Sequence, residues 1–506
     1  MHTLNDDVLH EIVEDCCISS LTNLCRVSTR FYAIALPHLL RHIVFTDGPD
    51  QMLQFFRFII DNATCEESDE TSREIAGRYH LRRSHTPGIH VVSFRVEEDA
   101  FGTYLAYTAH SLPKEYELEA WAPIMTKALA LMPNLRSLAI TASFNSICKY
   151  SPEISTIILS KPFLVDLQLG SIHDYASLSL GEAVSSSKAN IKLKQITIET
   201  VSAHTEGLRD LLFSCRNSLK MLSCSDSNIQ NLLFGSRGTD PKTPLTFPNV
   251  HALYLDTHFL MSDVALSFPS LRTLDVSQMS FSKYHFGGPD HGEALQYLVS
   301  ISVAGLKDLS ILLQNSNAFP CLRRLALYGY WGESIGDLTT ASAIAQGIQG
   351  LRSLRLHLYV DDISGSELDV LRFFIKSLPR LSYLYFGIKS PSKDQSELLD
   401  TETSHELFQS NSLEYISVVF QRPSSTTTAA LDAMVLSYAQ TIKSLKYMDI
   451  RKTSIDSLSG RYQYWNYWWK IIRQEGLSGA MGGIKLEGLN VALAGVLRNR
   501  YDQAAF

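Results

Sequence analysis

The sequence is short of the features that mark catalytic, secreted or membrane-spanning proteins. Its eight cysteines are scattered over 506 residues with no Cys-x-x-Cys pair, so neither a disulfide framework nor a thiolate metal site is expected. They read as small, reduced core residues. No run approaches the roughly 18 uninterrupted apolar residues that a bilayer requires. No Gly-rich phosphate loop or G-x-S-x-G elbow is present, and His10-Glu11 and His405-Glu406 lack the second histidine of a zinc helix. No local set of side chains supplies a nucleophile, a base and an oxyanion donor together. The expectation is therefore a chain with no catalytic residues, no metal and no cofactor. A basic stripe is also missing and the net charge is -7, which opposes nucleic-acid and membrane-surface roles. Met1 to Asp7 is polar and acidic, without the basic and apolar regions of a signal peptide, so a cytoplasmic or nuclear protein is expected.

What the chain has in quantity is apolar residues, 45% against 19% charged, enough to keep nearly all of it folded. They are arranged in one recurring phrase: an apolar residue, two variable ones, an apolar residue, one variable, an apolar residue, often after Pro. The clearest copies run from Leu135 through Leu138 to Ile140, Val250 through Leu253 to Leu255, Leu271 through Leu274 to Val276, and Leu322 through Leu325 to Leu327. Weaker copies begin at Leu164, Leu193, Leu219, Leu351, Leu381, Leu413 and Leu445. Starts are spaced 21 to 32 residues apart except for one interval of 51, which hides a degenerate unit. The segment from Leu306 to Ile311 fits the phrase too but reads as helix. Each phrase is a short strand of period two, followed by a helical return such as Trp121 to Leu131, Glu206 to Phe213, Leu368 to Lys376 or Ala429 to Ala439. A single unit cannot bury its own edge, so the units must stack.

These motifs resemble leucine-rich repeat proteins of the helix-containing type. The resemblance implies an α/β solenoid, a curved parallel sheet with outer helices. The Asn or Cys usual three residues after the last strand Leu is replaced by Ser143, His258, Met279 and Tyr330, so irregular turns and long loops are expected. The variable positions would line the concave face; they include Arg136, Ser137, His251, Arg272, Thr273, Arg323, Arg324, Arg352, Ser353 and Arg355. Arginine pairs with carboxylate and phosphate in bidentate fashion, so Arg272, Arg324 and Arg352 are candidate contacts for an acidic or phosphorylated protein substrate. The alternative is that these arginines solvate the sheet and brace neighbouring repeats.

Ahead of the repeats, three short amphipathic helices are expected between Leu4 and Phe45. Asn5 can cap the first and Ser20 the second, while Pro37 should break or restart the third. Some 40 residues cannot bury so many apolar faces among themselves, and the surplus asks for a partner. The pattern resembles the F-box, by which substrate receptors of cullin-RING ubiquitin ligases dock onto the Skp adaptor. Leu4, Leu9, Ile12, Leu21, Leu24, Val27 and Phe31 fall on the family's apolar signature, and Arg26 to Phe31 matches its most recognisable stretch. Asn5 departs from the usual Leu-Pro opening. The resemblance implies a substrate-recognition adaptor that binds the Skp adaptor, and through it a cullin. The alternative is a ligase-independent repeat scaffold.

The expected organisation is a docking module over 1–46, a linker and first irregular unit over 47–90 with a charged loop from Cys65 to Pro87, the solenoid over 91–455, and an aromatic-rich cap over 456–506. In that last segment Tyr462, Tyr464, Trp465, Tyr467, Trp468 and Trp469 crowd together. They close the open end of the solenoid or anchor a partner, and the spacing fits a strand and a helix equally.

Overall fold

The computed structural model describes residues 5–45, 49–64, 87–96, 115–141, 143–186, 191–202, 206–226, 228–234, 245–256, 261–277, 296–306, 308–310, 319–330, 338–359, 365–389, 412–420, 428–455, 462–475 and 481–503. The chain divides into two compact units, Met1–Val250 and His251–Phe506.

The first unit opens with helices α1 (Asp6–Glu14), α2 (Ile18–Val27) and α3 (Thr29–Leu40), then strand β1 (His42–Phe45) and helix α4 (Pro49–Thr64). A turn of 3-10 helix (Pro87–His90) leads to β2 (Ser93–Val96), α5 (Glu115–Ala130), β3 (Ser137–Ile140), α6 (Phe144–Tyr150) and α7 (Ile154–Leu159). It continues as β4 (Asp166–Leu169), α8 (Asp174–Ser186), β5 (Gln195–Ile198), α9 (Glu206–Cys215), β6 (Met221–Cys224) and α10 (Ile229–Phe234). Strands β1 to β6 pair in chain order, each parallel to the last. The register aligns Phe94, Leu138, Leu167, Ile196 and Leu222 in one row, and all five are buried. That row is the repeat phrase seen edge-on: apolar side chains face the returning helices, and no single unit could hide them.

The second unit runs β7 (Ala252–Leu255), α11 (Met261–Ser267), β8 (Thr273–Val276), β9 (Ser300–Val303), β10 (Arg324–Tyr330), α12 (Leu338–Gly347), β11 (Ser353–Tyr359) and α13 (Gly365–Lys376). It ends with β12 (Tyr383–Lys389), β13 (Tyr415–Phe420), α14 (Thr428–Thr441), β14 (Tyr447–Ile455), β15 (Tyr462–Glu475), β16 (Met481–Gly488) and α15 (Val491–Gln503). Strands β7 to β14 are again parallel in chain order. Strands β15 and β16 then pair antiparallel. Leu274, Ile301, Leu325, Leu354, Leu384, Ile416 and Met448 form the buried row. The fold is thus an α/β repeat solenoid, as the phrase requires.

The eleven phrases all become strands, and three further ones do too. Leu40, Ile43 and Phe45 carry β1; Val91, Phe94 and Val96 carry β2; Leu298, Ile301 and Val303 carry β9, the unit hidden in the 51-residue interval. Leu306 and residues 308–310 are helical, in line with the reading of that segment. In place of an Asn ladder the turns use assorted groups. Ser143 and Ser171 adopt positive φ (58° and 55°), the Ser171 amide donates to Thr200 Oγ1 at 2.7 Å, and Asp226 Oδ2 accepts from the Val201 amide at 3.0 Å. His258 and Met279 lie outside the described residues, as does the charged stretch 65–86.

Five local expectations are corrected. Helix α2 starts at Ile18 with Cys17 at its N-cap, not at Ser20; the Cys17 side chain makes no capping bond, and its Sγ lies 3.1 Å from the hydroxyls of Ser19 and Ser20. Asn5 occupies the N-cap of α1, but its side chain makes no capping bond and donates instead to Asp7 Oδ2 at 3.3 Å. Pro37 does not break α3; in the last turn it removes one donor, while burial of Ile34, Ala35 and Leu40 holds the helix together. The start of α3 comes earlier than Pro37 suggested, since Ser28 accepts a capping bond from the Phe31 amide at 3.2 Å. Finally, the cysteines are not all core residues: Cys148, Cys215 and Cys224 are buried, but Cys17 is exposed.

Candidate functional site

Two places in the fold concentrate groups that a partner could recognise. The first is the N-terminal helical module. Leu9, Val13, Leu21, Ile34 and Ala35 are its buried core, with Leu24, Phe31, Cys16, Cys25 and Leu39 packed partly against them. Of the seven signature residues, Leu9 and Leu21 therefore build the module, and Leu24 and Phe31 support it. Ile12 and Val27 remain 50% and 65% exposed, beside Val8 at 40% and Ile18 at 73%. Leu4 lies outside the described residues. Each helix satisfies its own backbone, so these exposed aliphatic groups are surplus to the fold and available to a partner.

The second place is the sheet face of the second unit opposite the buried leucine row. Among the repeat arginines the structure separates two sets. Arg272, Arg323 and Arg352 sit one residue ahead of their strands, where backbone bonds still link them: the Arg352 amide donates to Arg323 O and the Ser382 amide to Arg352 O, both at 2.9 Å. Arg272 and Arg352 are exposed, and Arg323 turns back to donate to Pro320 O and Leu322 O at 3.1 Å. Arg324 and Arg355 instead lie within strands β10 and β11, on the face itself.

That face is covered. Asn490 precedes helix α15 and caps the Leu493 amide with its Oδ1 at 2.8 Å, and the helix packs on the sheet through Ala494, Arg498, Tyr501 and Asp502, a helical i, i+4, i+7, i+8 stripe. Ala494 joins Tyr383, Tyr385, Tyr415 and Trp468 in one buried cluster. Arg355 holds Asp502 in a two-pronged grip, Nε to Oδ1 at 2.9 Å with Nη2 on Oδ2, and Ser353 Oγ adds a bond to Oδ1 at 3.2 Å. Arg324 Nε is 3.2 Å from the same oxygen, close enough for an ion pair though not aligned for a hydrogen bond. Burial works against the charge of Arg355, but Asp502, with Tyr383 and Tyr328, outweighs it, and the pKa is raised.

A second acid, Asp449 on β14, is fully buried and accepts at Oδ2 from Arg498 Nη2 at 3.0 Å, Ser417 Oγ at 3.1 Å and Arg451 Nε at 3.3 Å. Aromatic rings fill the space between. Arg498 lies 4.0 Å over the Trp468 ring, Tyr501 meets Tyr415 edge-on at 5.4 Å, and Tyr328 stacks on His357 at 4.2 Å. Burial, with Asp449 next, pushes the phenols of Tyr383 and Tyr415 up, so both stay neutral. Tyr501 donates to Glu414 Oε2 at 2.9 Å.

The aromatic segment of the C-terminal region resolves as strand β15, with neighbouring tryptophans divided between the two faces. Trp468 lies in the cluster under α15, while Trp469 donates its indole N–H to Asp432 on α14 at 2.8 Å. Sequence reasoning placed Arg324, Ser353 and Arg355 on the face but missed Asp502, Arg498 and Asp449. The available signal was the amphipathic spacing of residues 494 to 502, which no repeat phrase advertised.

Among the described residues no cluster of histidine, cysteine and carboxylate groups could hold a metal ion, and no helix is long and apolar enough to cross a membrane. No protein-family model and no curated protein matches the sequence. Among solved structures, a chain from the crystal structure of a complex of Rad7 and Elc1 in yeast aligns over 84% of this chain and 90% of its own, at 13% identity and a TM-score of 0.37.

Proposed function

We propose that the chain is a non-catalytic substrate-recognition adaptor of a Skp-cullin-F-box ubiquitin ligase. The N-terminal helices dock onto the Skp adaptor, which brings the cullin, and the repeat unit that follows them presents a protein substrate. The observation that carries this reading is the helical module whose core is already complete while Ile12, Ile18 and Val27 stand exposed on it. Apolar side chains left over after a small core is filled are what an obligate docking surface supplies. The adaptor's contribution is proximity alone: it raises the concentration of substrate lysines near a conjugating enzyme bound elsewhere on the complex.

One observation favours the rival reading, a repeat scaffold outside any ligase. Asn5 stands where the F-box pattern has Pro, and its side chain engages Asp7 instead of capping α1. The test is co-purification of the full chain with recombinant Skp adaptor, followed by affinity purification from cells. Adaptor and cullin in the eluate support the ligase role. Substrate proteins without either would support the scaffold.

A further inference from the structure

We propose that Arg324, Ser353 and Arg355 form a recognition site for a phosphorylated side chain of a protein partner, closed in cis by Asp502 of the C-terminal helix. This deepens the reading of the repeats as the substrate-holding part of the chain, and it does not depend on what the N-terminal helices bind.

The geometry around Asp502 is that of a bound ligand, not of a surface ion pair. Its carboxylate is only 8% exposed and meets both prongs of Arg355, the Ser353 hydroxyl and the flank of Arg324, all from adjacent strands in parallel register. Strand pairing thus holds two guanidinium groups and a hydroxyl in place before anything arrives.

The charge balance identifies what would fit better. Where α15 meets the sheet, the described residues bring together four guanidinium groups, Arg324, Arg355, Arg451 and Arg498, against the carboxylates Asp449 and Asp502, while Glu414 is already paired with Lys446. Arg498 and Asp502 both belong to α15. When the helix lifts, Asp449 keeps Arg451 in a balanced pair, and the uncompensated charge collects at Arg324 and Arg355. A single carboxylate neutralises half of it. A phosphoryl group, with close to two negative charges and three acceptor oxygens, matches both guanidiniums and the hydroxyl at once. By register Asp275 on β8 lies two strands from β10; its charge reaches Tyr328, but among the described residues it makes no ion pair with Arg324 or Arg355.

The covering helix is also imperfectly matched to the face. Among the described residues the Tyr383 hydroxyl, Trp468 Nε1 and Arg498 Nε are buried without a hydrogen-bond partner. Leu493 and Val496 of α15 remain 48% and 65% exposed. Buried polar atoms without partners weaken an interface, so a segment that satisfies them can compete with one tethered at high effective concentration.

The probe is a fluorescein-labelled peptide copying residues 489–503, made with phosphoserine, aspartate or alanine at the place of Asp502. Binding is read by anisotropy on the full chain, wild type and Asp502→Asn. The variant should bind the phosphoserine peptide at least tenfold more tightly than wild type does, and at least tenfold more tightly than it binds the alanine peptide. Adding Arg355→Gln should abolish both margins. Equal binding of the phosphoserine and alanine peptides overturns the site, and equal binding by wild type and Asp502→Asn overturns the closure by α15. An aspartate peptide as tight as the phosphoserine one overturns the assignment to phosphate. Should the variant fold poorly, hydrogen exchange on wild type decides: saturating phosphoserine peptide should speed exchange across 491–503 at least tenfold, and unchanged exchange refutes the displacement. Loss of adaptor binding in the same preparations would count against the ligase role and leave this site untouched.

Discussion

Replacing Ile12 and Val27 together by Ala separates docking from folding, because the module uses its aliphatic residues for two purposes. Fully burying an Ile or Val side chain is worth about 1.5–3 kcal/mol. Ile12 is half exposed and Val27 about two-thirds exposed, so their covering by a partner contributes about 1 kcal/mol and 1–2 kcal/mol. The double variant should therefore lose about 2–3 kcal/mol of docking energy, roughly a 30- to 150-fold rise in Kd at 1.4 kcal/mol per decade. Leu9→Ala is the counterpart. Leu9 is 4% exposed inside the core, and its truncation should cost about 2–5 kcal/mol of module stability with only secondary effects on docking. Calorimetric titration of the full chain with purified Skp adaptor measures the first effect, and hydrogen exchange over residues 6–40 measures the second. If the Ile12, Val27 variant binds as wild type while Leu9→Ala alone abolishes binding without loosening the helices, the division into core and docking face is wrong. A variant changing Leu9 and Ile12 together would confound the two and answer neither question.

Asn5→Pro should stabilise α1 by about 0.4–1 kcal/mol, since Asn5 already holds φ at -65°, the proline value; a lower melting point for the module would contradict it. Leu325→Asp should disrupt the second unit by several kcal/mol, because the side chain is wholly buried between Ile301 and Leu354 and a carboxylate there has no partner, and proteolysis of residues 251–506 should accelerate sharply. Alkylation of Cys17 by iodoacetamide should rise through a midpoint near pH 7, below that of an ordinary thiol. Hydrogen bonds from Ser19 and Ser20 favour its thiolate, whereas burial pushes Cys148 and Cys215 up to about 12 and should keep them silent; equal labelling of all three at pH 7.5 would be inconsistent with that.

The repeat was legible because it is local: each Leu-x-x-Leu-x-Leu segment carries its strand, register and buried face within six residues. Of the three further units only that at Leu40 escaped, since the solenoid was expected from residue 91 and a degenerate unit was expected in the interval that holds Leu298. Leu40 to Phe45 follows the helical module without a break, so its strand was absorbed into helix. The Leu298 unit could not be placed within its interval because no Pro-led phrase marks it. Pro37 and Ser20 show where one-residue rules lose to packing and to a neighbouring cap. The site on the second unit was half legible. Arg324, Ser353 and Arg355 could be placed on the strand face from period two alone. Nothing in residues 383 or 415 indicated that their tyrosines, at positions that read as surface, would be wholly buried. Their burial depends on a helix more than 70 residues further along, and long-range coverage leaves no periodic trace.

The change from parallel to antiparallel pairing at β15 also limits how such an array can grow. In a parallel stack every strand presents the same row of amides and carbonyls as the one before, so nothing in the geometry says where to stop, and an exposed last strand would accept a strand from another molecule. Strand β15 turns back on β14, and β16 follows it with Lys485 and Glu487 exposed along its length. A unit inserted or lost among the strands ahead of β14 would leave this hairpin unchanged, so repeat number can drift without exposing a raw edge. Charged side chains on the outermost strand make self-association through it costly, and the array stays a finite object instead of the first layer of a fibre.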